Sequence, residues 1–123
     1  MTRTDAEDFA ARWIHAWNRK DVAAVLSHFT DDARFISPKA AAFVGDPVVK
    51  GKAALAAYWN RAVNKIETIE FKLERIVWDA EARELIVFYE ANLNGARSRA
   101  CEAMHFDTSD KQIFGEALYG AAM

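Results

Sequence analysis

The chain has 123 residues and sets 16 Lys and Arg against 18 Asp and Glu, a net charge of −2, so it has room for one core and forms one domain over residues 1–123. That near balance lacks the basic excess of a nucleic-acid binder or a polybasic membrane-surface protein, so neither nucleic acid nor membrane is an expected partner. With 52% apolar residues but no run of ~18 of them, disorder and a transmembrane helix are both excluded.

The first residues, MTRTDAED, contain no hydrophobic leader, and the expected location is the cytoplasm. Thr4-Asp5-Ala6-Glu7 has the capping-box pattern, and Phe9, Trp13 and Trp17 follow at helical spacing with Ala10 and Ile14 beside them. A second short helix is predicted from Asp21, striped by Val22, Val25, Leu26 and Phe29, and ended by Asp31-Asp32. Ala33 to Ile36 reads as a short strand stopped by Pro38. Residues 38 to 51 read as a loop, punctuated by Pro38, Gly45, Pro47 and Gly51. A third helix is predicted from about Lys52 to Val63, with Leu55, Tyr58 and Trp59 on its apolar face.

The second half reads as strands. Ile69, Phe71 and Leu73 alternate with charged residues, and the parity changes near Arg75, which predicts a β-bulge. Leu85 to Leu93 resembles a covered central strand. Asn94-Gly95 signals a two-residue hairpin, which fixes register: Leu93 faces Ala96, Glu90 faces Arg99, Tyr89 faces Ala100 and Val87 faces Glu102. One face then carries Leu85, Val87, Tyr89, Ala91, Ala100, Met104 and Phe106, with Glu102 as its one carboxyl group. A second hairpin around Ser109-Asp110 is expected to add Ile113, Gly115, Ala117 and Tyr119 to that face. Tyr89 and Tyr119 fall diagonal to Glu102, on either side of it. The other face carries Ile86, Phe88, a Glu90–Arg99 ion pair, Asn92 beside Arg97, Cys101 and His105, and it suits a homodimer contact. Helices followed by strands predict an α+β fold with helices packed on an antiparallel sheet.

A carboxyl group on an apolar face either raises its pKa or finds a donor. Two readings of Glu102 follow: a proton donor for an oxyanion, or a member of a structural network with Tyr and Trp donors. His15 and His28 lie off any cluster, and ~13 Å of strand separates His105 from Cys101, so no metal site is expected. The single cysteine, Cys101, forbids an internal disulfide and reads as a packed thiol. No phosphate or dinucleotide motif is present, and no cofactor is expected.

Several ordered segments resemble one family. They are Ala16-Trp17-Asn18-Arg19-Lys20-Asp21, Phe29-Thr30-Asp31-Asp32 through Ser37-Pro38, Gly51-Lys52-Ala53-Ala54-Leu55 with Tyr58-Trp59, and the tail from Glu102 to Ala117-Leu118-Tyr119-Gly120. Together they resemble SnoaL-like and ketosteroid-isomerase-like proteins of the nuclear transport factor 2-like superfamily. The resemblance implies a curved antiparallel sheet wrapped with three N-terminal helices into a cone with an apolar pocket, usually as a homodimer. It also implies that the oxyanion-binding acid falls on Glu102, the catalytic tyrosine position on Trp13, and the base position on Ser37, whose hydroxyl is no base at neutral pH.

The expected function is therefore a pocket for a small apolar or polycyclic molecule. Glu102, Tyr89 and Tyr119 are the candidate polar groups. Trp13, Trp17, Phe35, Ser37, Tyr58, Trp59, Val87 and Met104 are the candidate walls. The candidate chemistry is isomerisation or cyclisation by enolisation. The alternatives are a non-enzymatic ligand-binding or dimerisation module of the same fold, and a domain whose pocket has collapsed.

Overall fold

A computed structural model describes residues 1–123. Four helices precede most of a six-stranded sheet: α1 (Arg3–Asn18), α2 (Val22–Leu26), β1 (Phe29–Ile36), α3 (Pro38–Val44), β2 (Val48–Lys50), α4 (Lys52–Lys65), β3 (Ile69–Asp79), β4 (Glu84–Leu93), β5 (Ala96–Phe106) and β6 (Gln112–Ala122). The strand order is β2-β1-β6-β5-β4-β3, and the sheet is curved and open. All neighbours are antiparallel except β1 and β6, which run parallel. Helix α1 packs on β3 and α4 packs on β1, so the helices cover the concave face of the sheet. The expected α+β architecture is present, with one more helix and one parallel strand pair. No helix is long and apolar enough to cross a membrane.

Local chemistry sets the helix boundaries. The capping box of α1 sits two residues earlier than the sequence pattern suggested. Thr2 caps Asp5 N–H at 3.1 Å, and the Asp5 carboxylate accepts from Thr2 N–H at 2.8 Å. Thr2-x-x-Asp5 and Thr4-x-x-Glu7 fit the same motif, and the earlier frame adds Arg3 and Thr4 to the helix. Asp21 caps α2 as expected, its side chain accepting from Ala24 N–H at 3.0 Å. Helix α2 stops at Leu26, so Phe29 opens β1 and is not part of a helical stripe. Asp31 and Asp32 lie within that strand, exposed, while Ala33 and Phe35 face the core.

Residues 38 to 51 are not a loop. Ser37 caps α3, Pro38 opens it, and Gly45 ends it with φ of 80°. Val48–Lys50 then pairs with Arg34–Ile36. The Pro and Gly that read as loop punctuation are the start and stop of a seven-residue helix.

The hairpin register is as the Asn-Gly turn predicts: Leu93 pairs with Ala96, Tyr89 with Ala100 and Val87 with Glu102. Asn94 and Gly95 both have positive φ, 55° and 87°, as this turn requires. The expected bulge in β3 lies between Leu73 and Arg75. It leaves Glu74 unpaired, places the Arg75 guanidinium 3.9 Å from the Phe88 ring centroid, and returns Ile76 to the core.

Two details differ from expectation. Glu90 faces Arg99 across the ladder as expected, but its ion pair is with Arg97 at 2.6 Å, and Arg99 reaches Glu74 at 2.6 Å. The side chains reach diagonally, and the β3 bulge supplies the second carboxylate. Ile113 is 42% exposed and lies at a bulge between the His105–Phe114 and Phe106–Gln112 pairs, so it leaves the inner face. Gly115, Ala117 and Tyr119 keep the expected side.

Candidate active site

Along β4 and β5 every second side chain enters the concave face, as strand geometry demands. At the closed end Leu85, Met104 and Phe106 are buried, and Phe106 meets Phe9 edge-on at 5.2 Å. Toward the Asn94-Gly95 end lies a cavity of about 80 Å³. Sixteen residues line it, thirteen of them apolar.

Trp13, Trp17, Phe35, Ser37, Tyr58, Trp59, Tyr89, Glu102 and Tyr119 all line this cavity. Val87 and Met104 do not. Both are fully buried, Val87 directly opposite Glu102 and Met104 two residues beyond it. Strand parity placed them on the correct face but carried no information on depth. Lys39, Ala62, Val63, Ile66, Ile69, Phe71 and Leu93 complete the wall. Phe71 and Ile69 share the alternation of β3, and Val63 shares the stripe of α4, so their inward facing was readable. Lys39 carried no such signal, because α3 itself was not foreseen.

Aromatic contacts hold the walls in place. The Trp59 ring lies 5.3 Å from Trp17 and 5.1 Å from Phe35, both edge-on. Trp13 meets Tyr89 edge-on at 5.3 Å, and Phe71 lies 4.7 Å from Tyr89. Such pairs contribute about 0.5–1.5 kcal/mol each beyond the area they bury.

Glu102 is the only acidic side chain at the cavity and is 5% exposed. Burial alone drives its pKa from 4.5 up to about 8, with no cation or hydrogen-bond donor to offset the cost. At pH 7 its carboxyl group is mostly protonated and holds a proton it can donate. The Tyr89 and Tyr119 phenols adjoin one another and Glu102; burial is the main cause that raises both pKa values, so both stay protonated. Burial also raises Tyr58, and the neighbouring Ser37 hydroxyl partly opposes the shift. The Ser37 hydroxyl itself accepts from Lys39 N–H at 3.2 Å.

The arrangement is an aromatic-walled cleft with neutral acids grouped on the sheet side. It can bind an apolar body and present O–H donors to one acceptor oxygen. No three His, Cys, Asp or Glu side chains converge to hold a metal ion. The remaining titratable groups singled out above lie elsewhere. His28 packs against Phe9 at 4.8 Å, and burial first, then Arg12, Lys111 and Lys52, lowers its pKa. His105 pairs with Glu84. Burial raises the Cys101 thiol, which keeps it from being a thiolate.

Comparison with known proteins agrees with this fold. Residues 10–115 match the model of the SnoaL-like domain. A SnoaL-like protein of unknown function from Burkholderia thailandensis E264 superposes with a TM-score of 0.88 at 27% identity, covering 98% of each chain. SalBIII, an epoxide hydrolase/cyclase-like enzyme of pyran ring formation in salinomycin, is similar at a TM-score of 0.74 and 19% identity, over 96% of this chain and 92% of its own. A steroid delta-isomerase from Pseudomonas aeruginosa is similar at a TM-score of 0.71 and 19% identity, over 94% of this chain and 80% of its own. At these identities the last two show a shared fold. No curated protein matches in sequence.

Proposed function

This chain belongs to the SnoaL-like family, and from that premise we propose that it acts on a small, mostly apolar carbonyl compound by enolisation, as an isomerase or cyclase. The carrying observation is Glu102, a carboxyl group with no protein partner, facing an aromatic cleft. The substrate carbonyl accepts a hydrogen bond from the Glu102 O–H, with the Tyr89 and Tyr119 phenols beside it, and the α-proton passes to solvent water or hydroxide, because no lining carboxylate is ionised to take it. Charge that develops on that oxygen is then stabilised without solvent reorganisation. The similarity to a cyclase and a steroid isomerase fold supports this class of chemistry.

A second reading is favoured by one feature. Ser37 is the only side chain at the expected base position, and no ionised carboxylate lines the cleft. A protein with a donor and no base binds a ligand without turning it over. Hydrogen–deuterium exchange separates the readings. With cyclohex-3-enone in D₂O, an enolising enzyme exchanges the α-protons and accumulates the conjugated isomer. A binder shifts tryptophan fluorescence with neither change. Loss of exchange in Glu102→Leu with a retained fold assigns the step to Glu102, and undiminished exchange contradicts the assignment.

The outer sheet face is proposed as a homodimer contact, since Val77 and Leu118 are 42% and 48% exposed there beside Phe88. The unpaired, half-buried Cys101 suits a reducing compartment, which supports a cytoplasmic location.

A further inference from the structure

The cleft has a cationic end that the enolisation reading does not use. Lys39, the second residue of α3, is the only cation among its lining residues. It forms no ion pair; its ammonium group rests 4.6 Å from the centroid of the Tyr119 ring. Lys65, at the last turn of α4, repeats the arrangement 5.0 Å from the Phe43 ring, and Phe43 in turn packs on Tyr58. Both ammonium groups thus lie on aromatic rings and not on carboxylates. The only acid that lines the cleft, Glu102, is mostly uncharged at neutral pH and does not neutralise them.

Tyr119 fixes the separation of the two polar ends. It sits two residues beyond Ala117, the partner of Glu102 across β5 and β6, which makes it the diagonal neighbour of Glu102, roughly 7–8 Å away. The Lys39 ammonium group lies over that ring. We propose that the ligand is an anionic amphiphile: an apolar ring with an acceptor oxygen at Glu102 and a carboxylate or similar anion about one ring-length away, held by Lys39. This rests on the pocket reading above and narrows it to a ligand class. Lys39 is then a specificity-determining residue that touches the ligand but not the reacting atoms. The free cation at the exposed rim of the cleft also favours capture of an anion over a neutral analogue.

The test compares 4-oxocyclohexanecarboxylate with its methyl ester by tryptophan fluorescence titration at low ionic strength. The wild-type protein is expected to bind the carboxylate about fivefold or more tightly than the ester, with the preference shrinking as salt is added. Lys39→Gln is expected to abolish the preference. Lys39→Arg is expected to retain it. Equal binding of the two compounds by the wild type, or a preference that survives Lys39→Gln, overturns this inference while leaving the pocket reading intact. Failure of both compounds to bind overturns the pocket reading and this inference with it.

Discussion

Replacing Glu102 by Gln preserves the shape of the side chain and removes its titration, and the consequence can be worked out with its sign. The folded carboxyl group titrates at about 8, while the unfolded chain titrates near 4.5. Between these values the native state holds a proton that the unfolded state releases, so stability falls as pH rises through the window. At about 1.4 kcal/mol per pH unit the full loss, complete above about pH 8, is about 5 kcal/mol, and about 3 kcal/mol of it is reached by pH 7. The Gln variant carries no such loss. Urea unfolding of both proteins at steps from pH 4.5 to 8.5 reads the difference directly, because contributions from His28 and the surface carboxylates are common to both. The variant should gain about 3 kcal/mol on the wild type between pH 4.5 and 7. Parallel stability curves would refute the reasoning, since they would mean that Glu102 titrates as an ordinary solvated carboxyl group.

Four further outcomes are expected. If Glu102 acts as the acid, exchange of ketone α-protons should decline as pH rises through about 8; an increase through the same range assigns it as the base instead. Ser37→Ala removes the cap of α3 and should cost about 1 kcal/mol in urea unfolding, with faster amide exchange confined to Lys39–Val44; an unchanged midpoint contradicts the cap. Gly115→Ala sets a methyl group 3.0 Å from Gln112 Nε2 and 3.1 Å from Phe35 Cδ1, and should destabilise the fold by about 1–3 kcal/mol through displacement of a cleft wall, as read by thermal melting. Leu118→Glu on the outer face should convert a dimer to a monomer in sedimentation equilibrium without altering the far-ultraviolet spectrum; a wild type that sediments as a monomer removes the dimer proposal.

The sheet was more legible than the helical half. Asn94-Gly95 admits one register, which set Glu102 opposite Val87 and diagonal to Tyr89, and the Ser109-Asp110 hairpin set it diagonal to Tyr119. The family resemblance reached the same glutamate by another route. What escaped were features decided by more than one local signal. The Ser37-Pro38 start and Gly45 stop of α3 are ordinary helix signals, but they enclose too short a stretch for an apolar period to emerge. With α3 unseen, Lys39 had no place near the site. The Ile113 bulge follows a turn in which the Asp107 side chain accepts from Ser109 and Lys111 N–H groups at 2.8 and 2.9 Å. That local wrap inserts one residue into the ladder, and no alternation in the sequence records it. Val87 and Met104 show a third kind of gap: parity gives the face of a strand but not whether that point of the face meets a helix or a void. The switch of partners from Glu90–Arg99 to Arg97–Glu90 and Arg99–Glu74 needed the third strand, whose bulge brings Glu74 into reach.

The central claim is that a protonated Glu102 faces the ligand. Carbon-13 labelling of the glutamate side chains allows the Glu102 carboxyl resonance to be followed against pH, with its assignment made from the Glu102→Gln spectrum. The account predicts a midpoint at about 8, moving higher when a cyclic ketone is added, because an acceptor oxygen stabilises the protonated form. A midpoint near the ordinary 4.5, or one that a bound ketone lowers, would contradict it.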